Sequence, residues 1–157
     1  MEEKSPYLEH PKRLADVIAA IQFLGSHKYG SRSMEKWAAY IGSAPKSAGS
    51  WNELFEQHPE FFRINEGYVA LVWRRARPKN YHRERDEILT KSEIAELSDE
   101  DRNNVTWRPL EPSQIEALLN SAIQMHASAI AHKQELRWWI PVIAALLGTV
   151  LGAVLKG

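Results

Sequence analysis

Residues 58–74, HPEFFRINEGYVALVWR, read as a helix end followed by a β-hairpin. Two runs rich in aromatic and β-branched residues, Phe61-Phe62-Arg63-Ile64 and Tyr68-Val69-Ala70-Leu71-Val72-Trp73, flank Asn65-Glu66-Gly67. That spacing predicts a three-residue turn with glycine where a positive φ is needed. His58-Pro59 ends the preceding helix, because proline drives the residue before it to extended backbone. Upstream, Ser50 and Glu53 form a capping box for a segment carrying Trp51, Leu54 and Phe55. A second helix is capped by Ser31 or Ser33, turns Met34, Trp37, Ala38 and Ile41 inward and ends at Gly42. Pro11 opens a first helix in which Leu14, Val17, Ile18, Ile21 and Leu24 form one apolar face, stopped at Gly25.

Three helices and a hairpin in this order resemble the winged-helix class, and the 58–74 stretch is similar to the closing helix end and wing of LOTUS-type winged helices. The head also resembles that of small bacterial proteins with a tryptophan-flanked C-terminal span. The resemblance implies a winged-helix-like domain over residues 10–78, behind an N-terminal tail of residues 1–9. It also brings nucleic acid into view as a partner. The third helix region offers Lys46, Ser47, Ser50 and Asn52, but Glu53, Glu56 and Glu60 would face a phosphate-rich groove unfavourably. Charge therefore disfavours nucleic acid on this helix and favours an unidentified protein partner for the head.

Beyond the head the charge is strongly divided, although 20 Lys and Arg balance 20 Asp and Glu over the 157 residues. Residues 74–85, RRARPKNYHRER, hold six basic side chains and one acidic; residues 86–101 hold seven acidic and one basic. Residues 79–112 read as a charged linker with short helices, one of them capped by Thr90 and Glu93. Arg74, Arg75, Arg77, Lys79, Arg83 and Arg85 are candidates for contact with anionic lipid headgroups or a nucleic-acid backbone. Pairing with Asp86, Glu87, Glu93, Glu96, Asp99, Glu100 and Asp101 is an equally weighted alternative.

Residues 113–137 read as an amphipathic stalk helix, with Ser113 and Glu116 as its capping box behind Pro112. Ile115, Leu118, Ala122, Met125 and Ala129 fall at alternating spacings of three and four, followed by His132 and Leu136, a seam that suits a second helix. Leu119, Ile123 and Ile130 broaden the seam, which would also suit packing against the head.

The stalk leads into 138–157, a C-terminal transmembrane anchor. Trp138 to Leu155 is free of charge over 18 residues and would span roughly 27 Å as a helix, close to the hydrocarbon core of a bilayer. Trp138 and Trp139 fall where an interfacial aromatic belt would lie, with Lys133 and Arg137 on the near side. Ala144, Gly148 and Gly152 recur every fourth residue, a pattern that lets two helix backbones approach closely and so predicts a homo-oligomer. Met1–His10 is polar and acidic, unlike a secretory signal. Membrane localisation follows, in a bacterial inner membrane with the N-terminus cytoplasmic.

The absence of cysteine excludes disulfides, thiolate metal sites and a cysteine nucleophile. No phosphate-cradling glycine loop, His-Glu-x-x-His or nucleophile elbow appears, and no cofactor or metal is implied. The expectation is a mainly α, non-enzymatic, single-pass adaptor or effector that self-associates and presents a protein-binding head. A membrane-tethered nucleic-acid-binding regulator and an oligomeric pore-forming effector are the alternatives.

Overall fold

The computed structural model describes residues 5–135. Trp138, Trp139, Ala144, Gly148 and Gly152, and with them the expected span, lie outside the described residues. Among the described residues no helix is long and apolar enough to cross a membrane. About 53% of the described chain is helical, with two small sheets and a long final helix.

The head opens on a short 3-10 turn, Pro6–Leu8, then α1 (Arg13–Ser26), β1 (Arg32–Ser33), α2 (Met34–Ile41) and α3 (Trp51–Gln57). The hairpin of β2 (Phe62–Asn65) and β3 (Tyr68–Leu71) follows. The three helices and the hairpin agree with the sequence pattern. The strand β1 does not appear in that pattern: two residues are too few to show alternation, and they enter the sheet only by pairing Arg32 with Val69 and Ser33 with Tyr68. The sheet order is β1-β3-β2, with both pairings antiparallel.

The hairpin turn has two residues, not three. Asn65 pairs with Tyr68, leaving Glu66 at φ 50° and Gly67 at φ 78° as the turn. Positive φ at both central positions is the twist-compatible hairpin geometry. Gly42, at φ 77°, ends α2 as expected. Gly25, by contrast, does not stop α1. It lies in the last helical turn, where a Cβ would come within 3.1 Å of Ile115 Cγ1, so its role is close approach of another helix.

Val17, Ala20, Ile21 and Leu24 of α1 pack with Trp37, Trp51, Leu54, Phe55, Phe61, Phe62, Val69 and Leu71 in one core. Two aromatic anchors are also tied to backbone: Trp37 Nε1 donates to Val69 O at 2.8 Å and Trp51 Nε1 to Ser43 O at 2.6 Å. Two buried charges hold the loop ahead of α3. Asp16 accepts from the Lys46 and Ser47 amides, each at 2.7 Å, while Arg13 donates to Ser47 O at 2.9 Å and to Gln57 Oε1. Ser47 is consequently buried and does not belong to an exposed recognition surface.

Residues 79–112 are not a linker. After the short α4 (Val72–Arg75) the chain forms β4 (Tyr81–His82) and β5 (Glu87–Ile88), then α5 (Lys91–Glu96), α6 (Asp99–Arg102) and β6 (Val105–Thr106). The strands make a second antiparallel sheet in the order β5-β4-β6. Tyr81, His82, Leu89, Val105 and Thr106 are buried in it. Alternating hydrophobicity is invisible in two-residue strands, and the surrounding charge masks the few apolar positions. The capping box of Thr90 and Glu93 is present.

The last helix, α7 (Pro112–Glu135), starts two positions earlier than a capping box of Ser113 and Glu116 predicts. Pro112 takes its first position and Gln114 Oε1 accepts from the Glu111 amide at 2.9 Å, the returning half of a capping box. It packs along α1 and against the 6–8 turn. Leu118 and Ala122 are buried in the head core, with Ile115, Leu119 and Ala129 against it. Ile115, Leu118, Ala122 and Ala129 of the seam assigned to self-association are thus packed within the chain, whereas Met125, 44% exposed, and His132 are exposed and Leu136 lies outside the described residues. The tail is likewise partly incorporated, since Tyr7 is buried and packs edge-on against His58 at 4.7 Å and His126 at 5.9 Å.

Candidate functional site

The two sheets meet where the loop after α1 presses on β6. Gly30 N–H donates to Thr106 Oγ1 at 3.1 Å, and a Cβ on Gly30 would lie 2.9 Å from that oxygen and 3.0 Å from Trp107 Cβ. Arg74 fastens the junction. Fully buried, it donates from Nη1 to Leu24 O (2.8 Å), His27 O (2.7 Å) and Tyr29 O (3.0 Å), and from Nη2 to Trp107 O at 2.5 Å. It therefore satisfies carbonyls at the end of α1 and ties them to the second sheet. Burial pushes its guanidinium down to about 10, with Tyr81 acting in the opposite sense, so it stays charged at neutral pH. Arg74 is a structural residue and cannot contact an external anion.

On the outside of this junction lies a cleft of about 340 Å³. Arg32, Lys36, Lys79 and Arg83 bring four cations to it, and Tyr29, Tyr68 and Trp107 bring three aromatic rings. Ser31, Asn103 and Thr106 add polar groups, and among the described residues no carboxylate lines it. Three of these cations, Arg32, Lys79 and Arg83, lie over the rings. The Arg32 guanidinium carbon sits 3.4 Å from the Tyr29 centroid and that of Arg83 4.7 Å from it. Arg75 and Lys79 lie over Trp107 at 5.0 and 5.5 Å. Such contacts orient a guanidinium without neutralising it. Arg83 is further fixed by Asn103 O at 3.1 Å and by Asn104 Oδ1. Arg32 Nε is buried with no hydrogen-bond partner among the described residues.

At the rim, Glu84 pairs with Lys28 at 3.3 Å and Arg83 at 3.2 Å. The Lys28 hydrogen bond, then that of Arg83, holds its carboxyl below the ordinary range. Behind Tyr29, His27 stacks on the ring at 5.4 Å. Burial, then Arg74, Arg32 and Lys28, lowers the His27 pKa, so the imidazole is neutral at pH 7 and its Nδ1 accepts from the Tyr29 amide at 3.2 Å.

The six basic residues predicted for anion contact are therefore separated. Lys79 and Arg83 line the cleft, Arg75 borders it through Trp107, and Arg74 is interior. Arg85 is paired with Asp101 at 2.9 Å and Glu87 at 3.7 Å, so part of the basic block does meet the acidic one. Arg77, half-buried, is not a cleft residue. Sequence reasoning misses Arg32, Lys36 and the rings of Tyr29, Tyr68 and Trp107. The only signal is local, the mixing of basic Lys28, Arg32 and Lys36 with aromatic Tyr29, Trp37 and Tyr40.

A wider groove of about 1150 Å³ runs between the 6–8 turn, the end of α3 and α7. Its rim holds Glu9, Glu56 and Glu60, and each already has a partner: Arg13 for Glu9, Asn52 for Glu56, and His58 and Tyr7 for Glu60. Among the described residues no group of three or more His, Asp or Glu could hold a metal ion. Compared with known proteins, the chain matches no family model, no curated protein and no solved structure.

Proposed function

We propose that the chain is a non-enzymatic, membrane-anchored adaptor or effector whose head binds a phosphate-bearing polyanion in the cationic and aromatic cleft. The observation that carries this reading is the lining itself: four cations and three rings converge, with no carboxylate among the described residues. Such a surface has net attraction for phosphate oxygens, and its strength depends on salt. The order helix, strand, helix, helix, hairpin, with β1 added to the wing at the edge of β3, supports a winged-helix-like head. Its α3 carries exposed Glu53 and Glu56, which argues against groove reading by that helix and for the cleft.

The charge-free run 138–155 supports anchoring, with self-association assigned to Ala144, Gly148 and Gly152 because most of the α7 seam is occupied. A second reading, a protein partner for the head, is favoured by Ile123, Met125 and Ile130, which remain exposed on α7. The test is titration of the full-length protein, held in neutral-lipid nanodiscs, with fluorescent heparin at increasing salt. Binding that weakens steeply with salt, and weakens again in a Lys36→Glu, Lys79→Glu variant, is expected. No binding at low salt contradicts the polyanion reading and leaves the protein partner.

A further inference from the structure

Two kinds of phosphate-bearing surface suit a cationic cleft on an anchored chain, the lipid headgroups and a nucleic acid, and the placement of the cleft separates them. Trp107 gives its carbonyl to Arg74 and Leu110 N–H donates to Gly25 O at 2.9 Å, so the cleft adjoins the first turn of α7. From there α7 runs 24 residues to Glu135, about 36 Å, towards the charge-free run. A helix entering a bilayer end-on would hold the cleft several Debye lengths, each about 8 Å, from the headgroups of that bilayer. For a chain anchored in that way, the ligand reaches the cleft from the opposite side.

Its rings point to the chemistry. Tyr68, on β3 of the hairpin, is 54% exposed, and among the described residues no other ring packs on it. Trp107 is half-buried at the other wall, beneath Arg75 and Lys79. Lipid headgroups have no flat face to place on an exposed tyrosine, whereas every nucleobase does, and sequence-tolerant stacking beside a basic track is how single strands are held. The volume, about 340 Å³, suits one nucleotide unit.

We infer that the cleft binds single-stranded nucleic acid, with phosphate on Arg32, Lys36, Lys79 and Arg83 and a base on Tyr68, on the side of the head facing away from the membrane. This rests on the polyanion reading above. The full-length protein in phosphatidylcholine nanodiscs is titrated with a labelled 12-nucleotide oligouridylate, an oligothymidylate, a duplex of the same length, inorganic polyphosphate and phosphatidylserine vesicles. Single strands should bind about 10-fold or more tighter than the duplex. Tyr68→Ala should weaken them roughly 5- to 100-fold and leave polyphosphate unchanged, with Tyr68→Phe restoring binding. Lys36→Glu with Lys79→Glu should reduce the salt slope for single strands by about 0.7 for each phosphate no longer neutralised.

Equal binding of strand, duplex and polyphosphate, with Tyr68→Ala silent, overturns the nucleic-acid inference and leaves the polyanion cleft standing. Failure of polyphosphate and all oligonucleotides overturns both. Vesicles that bind in a Lys36- and Lys79-dependent way while oligonucleotides do not assign the cleft to an apposed membrane. A preference between oligouridylate and oligothymidylate identifies RNA or DNA as the source.

Discussion

Removing the Arg74 side chain tests the junction on which the cleft is built. In Arg74→Met the apolar stem is retained, while four carbonyls, Leu24, His27, Tyr29 and Trp107, lose their donor. A buried acceptor left unsatisfied costs about 1–3 kcal/mol, and three of the four bonds are only partly enclosed, so the low end applies to them. The sum is about 4 kcal/mol, a large share of the roughly 5–15 kcal/mol that stabilises a domain. At about 2–4 °C per kcal/mol for a chain of this size, Tm should fall by about 8–16 °C. Thermal unfolding of the full-length protein in detergent, followed by tryptophan fluorescence, measures this, since Trp107 reports directly on the junction. Arg74→Lys should recover only part of the loss, because an ammonium cannot serve carbonyls on both sides of the junction with the planar fork. An Arg74→Met variant within about 1 kcal/mol of the parent refutes the keystone role. So would unchanged stability with selectively weakened polyanion binding, the behaviour of a surface contact.

Three further variants probe packing, pH dependence and the hairpin. Leu118→Ala should cost about 2–5 kcal/mol in urea unfolding of the full-length chain, because the side chain is buried in the head core; a change under about 1 kcal/mol would return the α7 seam to intermolecular duty. Burial acts to raise the Glu60 pKa, but hydrogen bonds from His58, its own backbone and Tyr7 leave it below the ordinary carboxylate value. The folded state thus binds its proton less readily than the unfolded one: the stabilisation is complete above about pH 4.5 and is lost as pH falls through the lower folded value. Glu60→Gln should flatten the acid limb of a Tm-against-pH curve, and an unaltered limb would show that Glu60 does not carry it. Gly67→Ala, at φ 78°, should destabilise the hairpin by about 1 kcal/mol through strain, read by chemical unfolding; a neutral result would contradict the two-residue turn.

Elements whose own period or cap is strong are legible in the sequence. The apolar face of α1, the Gly42 end of α2, the Ser50 start of α3 and the hairpin each contain their information locally. What stays hidden is whatever depends on a distant partner. Gly25 reads as a stop because nothing nearby announces that Ile115 comes to rest against it. Leu118 and Ala122 read as a seam for another chain because periodicity shows that a face is buried, not against what. The 79–112 segment reads as a linker because three two-residue strands leave no alternation. Charge counting has the same weakness. It places Arg74 beside Arg75, while folding sends one inward to four carbonyls and the other out to Trp107. The cleft draws its cations from residues 32, 36, 79 and 83, which the contact of Gly30 with Thr106 and the Arg74 hydrogen bonds to Tyr29 and Trp107 bring together.

Where a polyanion touches the head decides between the cleft and α3. Photo-crosslinking of a 4-thiouridine oligonucleotide to the full-length protein in nanodiscs, with the adducts mapped by mass spectrometry, answers that. Adducts on peptides containing Tyr68 and Trp107, lost in the Lys36→Glu, Lys79→Glu variant, are the predicted result. Adducts concentrated on residues 51–57 of α3, with none at Tyr68 or Trp107, would contradict it.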